Sequence, residues 1–369
     1  MTVPSWRGIA SRVDLLRSTG PRHAWRRYRQ DLALRPVLAG RGERLVRTLW
    51  ADAARELGAT VTELGSSRFE IRLGQTSTTI DGQTTALNSQ EAVVRAADKP
   101  AVYGLLSRAG LPVPEHLAFR SGDARAARTF LERSPVPCFV KPADGSGGEG
   151  ITGEIRNPGE LRRATLSASR FASRLLIERE VPGDVFRLLV LDGRVLDVVR
   201  RLRPRITGDG RSTVEELVLG EYDRRLGENG AVALKPFVVD LDCILTLQNA
   251  GLSLRSVLPA GTTVTVKTVT NWNRPEENMA LGTAVAKELG ADAVAAACAV
   301  GLRLAGVDVI APTANAGLAA SGGVVVDVNA VPALHHHALV ANGGATARVA
   351  VPILRALLEN AGPAASDDC

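Results

Sequence analysis

The sequence predicts a mixed α/β (α+β) fold, because segments with helical periodicity alternate with short β-type segments along the chain. Residues 42–57 place Leu45, Val46 and Leu49 at helical spacing, which predicts an amphipathic helix. Asp192-Gly193 between two apolar runs predicts a β-hairpin. Short runs of β-branched and apolar residues predict strands at 59–65, 68–74 and 77–82.

Capping residues predict where further helices begin. Asp98 suits the N-cap of a helix that starts at Lys99-Pro100, because proline is tolerated in the first helical turn. Thr213 and Glu216 have the spacing of a capping box, and Ser212 and Glu215 have the same spacing. Two longer segments are assigned from composition alone: 231–270 as β-rich and 279–305 as an alanine-rich helix.

The composition is that of a globular protein, with 45% hydrophobic and 23% charged residues among 369. No apolar run reaches the roughly 18 residues of a membrane helix, and the N-terminus has no apolar core of a signal peptide. The four cysteines are far apart and form no C-x-x-C pair. We therefore expect a reduced, cytoplasmic protein that has no membrane partner.

Residues 1–50 form a basic segment with a net charge of +8. Nucleic acid, a solvated surface, a subunit contact in a homodimer and attraction of acidic substrates are all compatible with such a segment. We do not expect nucleic acid as a partner, because the segment lacks interleaved aromatic stacking pairs and no other motif of such a module is present.

The stretch 139–152, FVKPADGSGGEGIT, holds four glycines and a serine after a strand that carries Lys141. Glycines let backbone N–H groups approach an oxyanion, so the loop is suited to phosphate; a flexible hairpin tip is the alternative. The lysine precedes the glycines, unlike a P-loop, and a strand-like piece follows them, unlike a dinucleotide-binding fingerprint.

A set of motifs in fixed order resembles the ATP-grasp superfamily. The set comprises DK at 98–99, AGLPVPE, VKPADGSGGEG, LLIEREVPGDVFRLLV, GVDVI and VVVDVNAVPALHHH. The piece VVRRLRPRITGDGRSTVEELV is similar to the ligase part of cyanophycin synthetases and related amino-acid or peptide ligases. The resemblance covers about residues 65–360.

The resemblance implies an ATP-grasp fold of three domains, with ATP held between two α+β domains. The expected boundaries are 1–90 for an N-terminal α/β domain, 91–172 for the domain with the glycine loop, 173–362 for the domain with the metal site, and a tail at 363–369. The implied activity is ATP-dependent joining of a small-molecule or peptide carboxylate to an amine through an acyl phosphate, with Mg²⁺ or Mn²⁺ as the metal.

The resemblance also implies roles for individual residues. The expected ATP-binding residues are Lys99, Lys141, Gly145, Ser146, Gly147, Gly148, Gly150, Glu178, Val181 and Asp184, of which Glu178 and Val181 offer backbone groups to adenine. The expected metal ligands are Asp308, Asp327 and Asn329. The arginines Arg187 and Arg201 face the transferring phosphoryl group, where a fixed guanidinium stabilises developing charge. Weaker candidates for substrate contact are Arg203, which strand alternation would place beside Arg201, and Trp272, Arg274 and His335.

The sequence departs from the family at several positions. Val185 stands where relatives hold the ribose with an acidic residue, so we assign that contact to Asp184. Asp327 replaces the usual glutamate. The loop 270–278, TNWNRPEEN, stands where the family has a stretch like NLSTGG, so the family's substrate identity is not carried over. Cyanophycin synthetases have a second ligase domain, for which 369 residues leave no room, so we expect a different ligase.

Two other functions remain open at this point: a kinase-like phosphoryl transferase and a non-catalytic nucleotide-binding regulator that uses the basic segment. The run His335–His337 allows a zinc site, a substrate contact or a loop surface. Three successive histidines cannot share one face of a strand, which disfavours zinc.

Overall fold

The structure is a computed structural model that describes residues 6–65, 67–145, 147–226, 237–270, 277–342 and 349–359. The helices are α1 (Trp6–Thr19), α2 (Pro21–Leu57), α3 (Gln90–Ala97), α4 (Lys99–Arg108), α5 (Arg125–Glu132), α6 (Pro158–Ala168), α7 (Val214–Leu226), α8 (Leu241–Asn249), α9 (Lys287–Val300), α10 (Leu318–Ser321), α11 (His335–Ala338) and α12 (Ala350–Glu359).

The strands alternate with these helices, as the sequence predicts. They are β1 (Thr60–Glu63), β2 (Arg68–Leu73), β3 (Thr76–Asp81), β4 (His116–Arg120), β5 (Cys138–Pro142), β6 (Thr152–Ile155), β7 (Arg174–Arg179), β8 (Asp184–Leu191), β9 (Arg194–Arg201), β10 (Arg205–Thr207), β11 (Thr263–Thr265), β12 (Asn278–Gly282), β13 (Leu304–Ala311) and β14 (Val324–Asn329). Within the described ranges, no helix combines the length and the apolar character that crossing a bilayer requires.

The chain forms two compact units, each assembled from separate stretches. Unit 1 comprises 1–35, 114–180 and 202–273, and unit 2 comprises 36–113, 181–201 and 274–369.

Unit 1 contains a four-stranded sheet, β4-β7-β5-β6, and a small sheet, β10-β11. Its first core places α5 and α6 residues such as Leu131 and Leu161 against Val140 and Ile177 of the larger sheet. A second core gathers Ile206, Val218 and other apolar side chains around α7 and α8. Asn157 caps α6 by accepting from the backbone N–H of Glu160, and Pro158 follows it in the first turn.

Unit 2 contains a three-stranded sheet, β1-β2-β3, and a five-stranded sheet, β12-β9-β8-β13-β14. The hairpin between β8 and β9 turns at Asp192 and Gly193, both at positive φ (45° and 70°), as the Asp-Gly pair predicts. Trp50 and Phe69 pack with Leu189 and Leu354 in one core, so α2 and α12 cover the same end of the large sheet.

Two sequence predictions of secondary structure are wrong. The segment 231–270 is not β-rich where it is described, because residues 241–249 form α8 and only 263–265 form a strand. The predicted helix over 279–305 begins only at Lys287, because 278–282 is a strand that pairs with β9.

The expectation that the basic segment 1–50 contains no stacked aromatic pair is also wrong. Trp25 and Tyr28 on α2 stack with ring centroids 6.0 Å apart, and both rings are exposed.

Candidate active site

The glycine loop of unit 1 connects β5 to β6 and has a backbone that only glycine adopts without strain. Gly147, Gly148 and Gly150 have φ values of 71°, 69° and 74°. A Cβ at Gly150 would lie 2.6 Å from the ring of Phe171, so this position also has no room for a side chain. Ser146 lies outside the described residues. Because these glycines carry no Cβ, an anion could approach the backbone of the loop closely.

A buried ion pair lies at the start of this loop. Lys141 on β5 contacts Glu178 on β7, with Nζ 2.7 Å from Oε1, and each residue is 6% exposed. The register of the two strands fixes the pair, because Lys141 lies opposite Leu176, two residues from Glu178. The side chain of Glu178 thus has a partner that the sequence did not predict.

One face of the five-stranded sheet of unit 2 carries five of the predicted polar residues. Arg187, Asp308 and Asp327 are direct cross-strand partners on β8, β13 and β14. Asn329 lies two residues beyond Asp327 and therefore projects from the same face. Arg201 also shares this face, because it is opposite Val185 and Val185 is two residues from Arg187. Strand alternation and register thus bring together residues that are up to 142 positions apart in the chain.

Asp308 and Asp327 are each paired with a cation. Asp308 accepts two hydrogen bonds from the Arg187 guanidinium, with Nε 2.7 Å from Oδ1. Asp327 accepts from Lys99, with Nζ 2.6 Å from Oδ1. Two carboxylates directly opposite each other repel, so these two cations stabilise the arrangement.

Lys99 and Asn329 are held by local structure. Lys99 is the first residue of α4, and Asp98 caps that helix by accepting from the backbone N–H of Ala101. Asn329 donates from Nδ2 to the carbonyl of Gly306 at 3.2 Å, which leaves its amide oxygen on the face with the two aspartates.

The chain is similar to several known proteins, most of them over only part of their length. Residues 105–207 match the family described as D-ala D-ala ligase C-terminus. Cyanophycin synthetases of Synechocystis sp. and Nostoc sp. are 30% and 31% identical to the chain over 73% and 75% of its length. The chain spans about a third of these relatives, 31% of each. A bifunctional glutathione synthetase from Pasteurella multocida superposes with a TM-score of 0.53 at 21% identity, over 84% of this chain and 44% of that one.

The chain has the ATP-grasp fold. The fold class and the superfamily resemblance inferred from the motifs are thereby confirmed. The family match includes the glycine loop, Lys141 and Glu178, and it ends at Thr207, the last residue of β10. The residues on the sheet face between β13 and β14 lie beyond it, so their grouping rests on the register described above.

The remaining predicted ATP-grasp residues have different surroundings. Asp184 is partly exposed and accepts from Arg200, with Nε 2.8 Å from Oδ2. Val181 lies between β7 and β8 and belongs to no strand. Arg203 lies beyond the end of β9, so it does not share the strand alternation of Arg201 as predicted, and it pairs with Glu180 at 2.9 Å. Trp272 and Arg274 lie outside the described residues.

Burial and neighbouring charge change the pKa of several groups here. Burial and the positive charge of Arg187 lower the pKa of Arg201 to about 10. Burial, together with the charge of Arg201, lowers the pKa of His336 well below its ordinary value. At neutral pH, therefore, His336 is uncharged and Arg201 is charged.

All three histidines of α11 are buried, so the loop-surface interpretation is wrong for them. His335 contacts Gln83, with Nδ1 3.5 Å from Nε2, and its ring centroid is 4.2 Å from that of His336. His337 contacts Asp197 of β9. Sequence reasoning missed Asp197, although its spacing of four residues from Arg201 on a strand was a usable signal.

Proposed function

We propose that the chain is an ATP-dependent carboxylate–amine ligase that forms an amide or peptide bond through an acyl phosphate. The observation that carries this proposal is the row Arg187, Asp308 and Asp327 on one sheet face, with Lys99, Asn329 and Arg201 beside it. Such a row combines oxygen donors for a metal with cations for phosphate on a rigid support, which phosphoryl transfer needs.

The donor set fits Mg²⁺. Two carboxylates directly opposite each other and one amide oxygen are hard ligands on a single face, and Mg²⁺ and Mn²⁺ prefer such oxygens. Asp308, Asp327 and Asn329 would hold the metal, which when bound would neutralise charge on phosphate oxygens. Asp327 is one methylene shorter than the glutamate usual in this superfamily, and its place directly opposite Asp308 keeps both carboxylates together.

The protein's own groups have distinct tasks in the first half-reaction. Lys99 and Lys141 would bind phosphate oxygens of ATP, and the backbone N–H groups of the glycine loop would cover them. The backbones of Glu178 and Val181 would contact adenine, and Asp184 would contact the ribose. Arg187 and Arg201 would stabilise the charge on the phosphoryl group as the substrate carboxylate attacks it, and ADP would leave.

In the second half-reaction an amine attacks the acyl carbon and phosphate leaves. We propose amino acids or peptides as the source of both substrates, because the similar proteins include glutathione-forming and cyanophycin-forming enzymes by name. Arg203 and His335 are the described candidates for substrate contact.

The test is incubation with Mg·ATP and pools of amino acids and dipeptides, followed by mass spectrometry and assays of ADP and phosphate. We expect a new amide mass in step with ADP and phosphate, lost in Lys141→Ala and Asn329→Ala. Arg125→Ala is a matched control, since Arg125 forms an exposed ion pair with Asp123 and belongs to neither group of residues. A phosphorylated product without amide would indicate a kinase, and ATP binding without turnover in every pool would indicate a regulator.

A further inference from the structure

Unit 2 contains a buried Asp–His pair that the roles above do not use. His337 on α11 lies with Nδ1 2.6 Å from Oδ2 of Asp197 on β9. His337 is 0% exposed and Asp197 is 4% exposed. Because an ionised carboxylate can only accept, Nδ1 of His337 carries the shared hydrogen. The neutral imidazole therefore presents Nε2 as a proton acceptor.

The pair belongs to the same sheet face as the catalytic candidates. Asp197 and Arg201 are four residues apart on β9, so both project from that face. Asp197 lies opposite Leu189, two residues from Arg187 on the neighbouring strand. The carboxylate of the Asp–His pair therefore lies on the same sheet face as Arg187 and Arg201, the arginines that would face the phosphoryl group.

The charged groups around His337 act in opposite directions. Burial, Arg187 and Arg201 lower the pKa of His337, while the hydrogen bond and the charge of Asp197 raise it. Burial has the largest effect and the pKa lies below its ordinary value, so the imidazole is neutral at neutral pH. A neutral imidazole beside a carboxylate can take up a proton and be stabilised in its charged form.

The Nε2 atom of His337 is buried and has no hydrogen-bond partner among the described residues. Buried polar atoms are almost always hydrogen-bonded, and leaving one without a partner costs free energy. A polar group of a bound substrate would remove this cost, which makes Nε2 a candidate contact for a reacting N–H.

We propose that His337 accepts the proton lost by the amine in the second half-reaction and that Asp197 is its positioning residue; this proposal rests on the ligase function above. The amine nitrogen forms a bond to the acyl carbon, and the bond from that carbon to the phosphate oxygen breaks. Phosphate leaves with the electron pair of that bond. The N–H proton passes to Nε2 of His337, and Asp197 stabilises the resulting imidazolium.

Hydroxylamine separates this step from the rest of the reaction. It is largely unprotonated at neutral pH and traps acyl phosphates as hydroxamates without a strong need for a base. In His337→Asn we expect amide formation to fall about 100-fold, within the range for general-base catalysis, while hydroxamate formation stays within about threefold of wild type. The matched control is His23→Asn, because His23 is another buried histidine paired with a carboxylate (Glu215, 3.0 Å) but lies in unit 1.

Each outcome is decisive. An equal loss of amide and hydroxamate in a folded His337→Asn protein would assign the residue a structural role and overturn the proposal, as would no loss of either. A wild-type protein that forms no hydroxamate from any carboxylate in the pools would instead overturn the proposed ligase function.

Asp197→Asn provides a second variant that preserves size. Asp197 raises the pKa of His337, so its replacement should move the acidic limb of the amide-forming rate to lower pH and reduce the plateau about tenfold. The hydroxamate rate should show no such movement. An unmoved acidic limb in the folded Asp197→Asn protein would overturn the proposal even if His337→Asn failed to fold.

Discussion

The two units bury charge in different ways. In unit 1 the ion pair Lys141–Glu178 lies beside a glycine loop that would offer backbone N–H groups to an anion. In unit 2 the charges belong to two neighbouring ion pairs between side chains. Arg187 pairs with Asp308, and Lys99 pairs with Asp327. The first arrangement depends on glycine conformation and the second on strand register. They should therefore respond differently to substitution.

The largest expected effect is that of Arg187→Met. Asp308 would remain buried opposite Asp327 with one cation fewer, so we expect a loss of about 3–5 kcal/mol in the free energy of unfolding. Urea unfolding at neutral pH measures it. Asp308→Asn in the same chain should restore part of the loss, whereas Arg125→Met should change nothing measurable. A loss no greater than that of the unit 1 pair below would break the comparison.

Lys141→Met should have the next largest effect. It removes the cation that contacts Glu178 and leaves that carboxylate buried, so we expect a loss of about 3 kcal/mol in the free energy of unfolding. Glu178→Leu added to it should restore stability without restoring ATP binding. If the double variant bound ATP as wild type does, Lys141 would have no direct contact with phosphate.

Gly150→Ala tests the loop by itself. The positive φ and the approach of Phe171 both oppose a side chain, at a cost of about 1–2 kcal/mol for the conformation. We expect the KM for ATP to rise about tenfold, measured by steady-state kinetics, together with a loss of stability of about that cost. Gly74→Ala is the matched control, since Gly74 has φ 59° and open space around it. Equal effects of the two substitutions would mean that the loop has no special role.

The smallest effect concerns pH. The pKa of His336 is depressed in the folded protein, so the stability it provides is present above its ordinary value of 6.5 and is lost as the pH falls below it. We expect wild type to lose stability between pH 6.5 and pH 5, and His336→Asn to lose less over the same range. Thermal unfolding at closely spaced pH values measures the difference. If the stability of the two proteins changed equally with pH, His336 would not be the group whose depressed pKa causes the loss.

The parts of the fold that sequence predicted well are those with a local chemical cause. Asp98 caps α4, Asp192-Gly193 forms the hairpin turn, and Thr213 with Glu216 forms a reciprocal capping box. Each of these depends on residues within three positions of one another, so no knowledge of the rest of the chain was needed.

The parts that failed depend on tertiary contacts. Residues 241–247 are all buried, so α8 has no apolar stripe and its composition resembles a strand; the cap at Asp240 was the available signal. The segment 278–282 is a strand because it pairs with β9, which no local pattern indicates.

The candidate site was predicted in part. The residues of the row came from the superfamily resemblance, and their grouping on one face follows from register. The pairing of Lys141 with Glu178 and of His337 with Asp197 needs the positions of strands and helices distant in sequence. Alternation along β9 could have suggested Asp197, but only the fold brings it to His337.

The most direct test of the central claim is an oxygen-transfer measurement. A substrate carboxylate labelled with ¹⁸O is supplied with Mg·ATP and the amine, and the released phosphate is analysed by mass spectrometry. A ligase that forms an acyl phosphate transfers one carboxylate oxygen to phosphate, so labelled phosphate should appear in step with the amide. Amide formation with unlabelled phosphate would contradict the account.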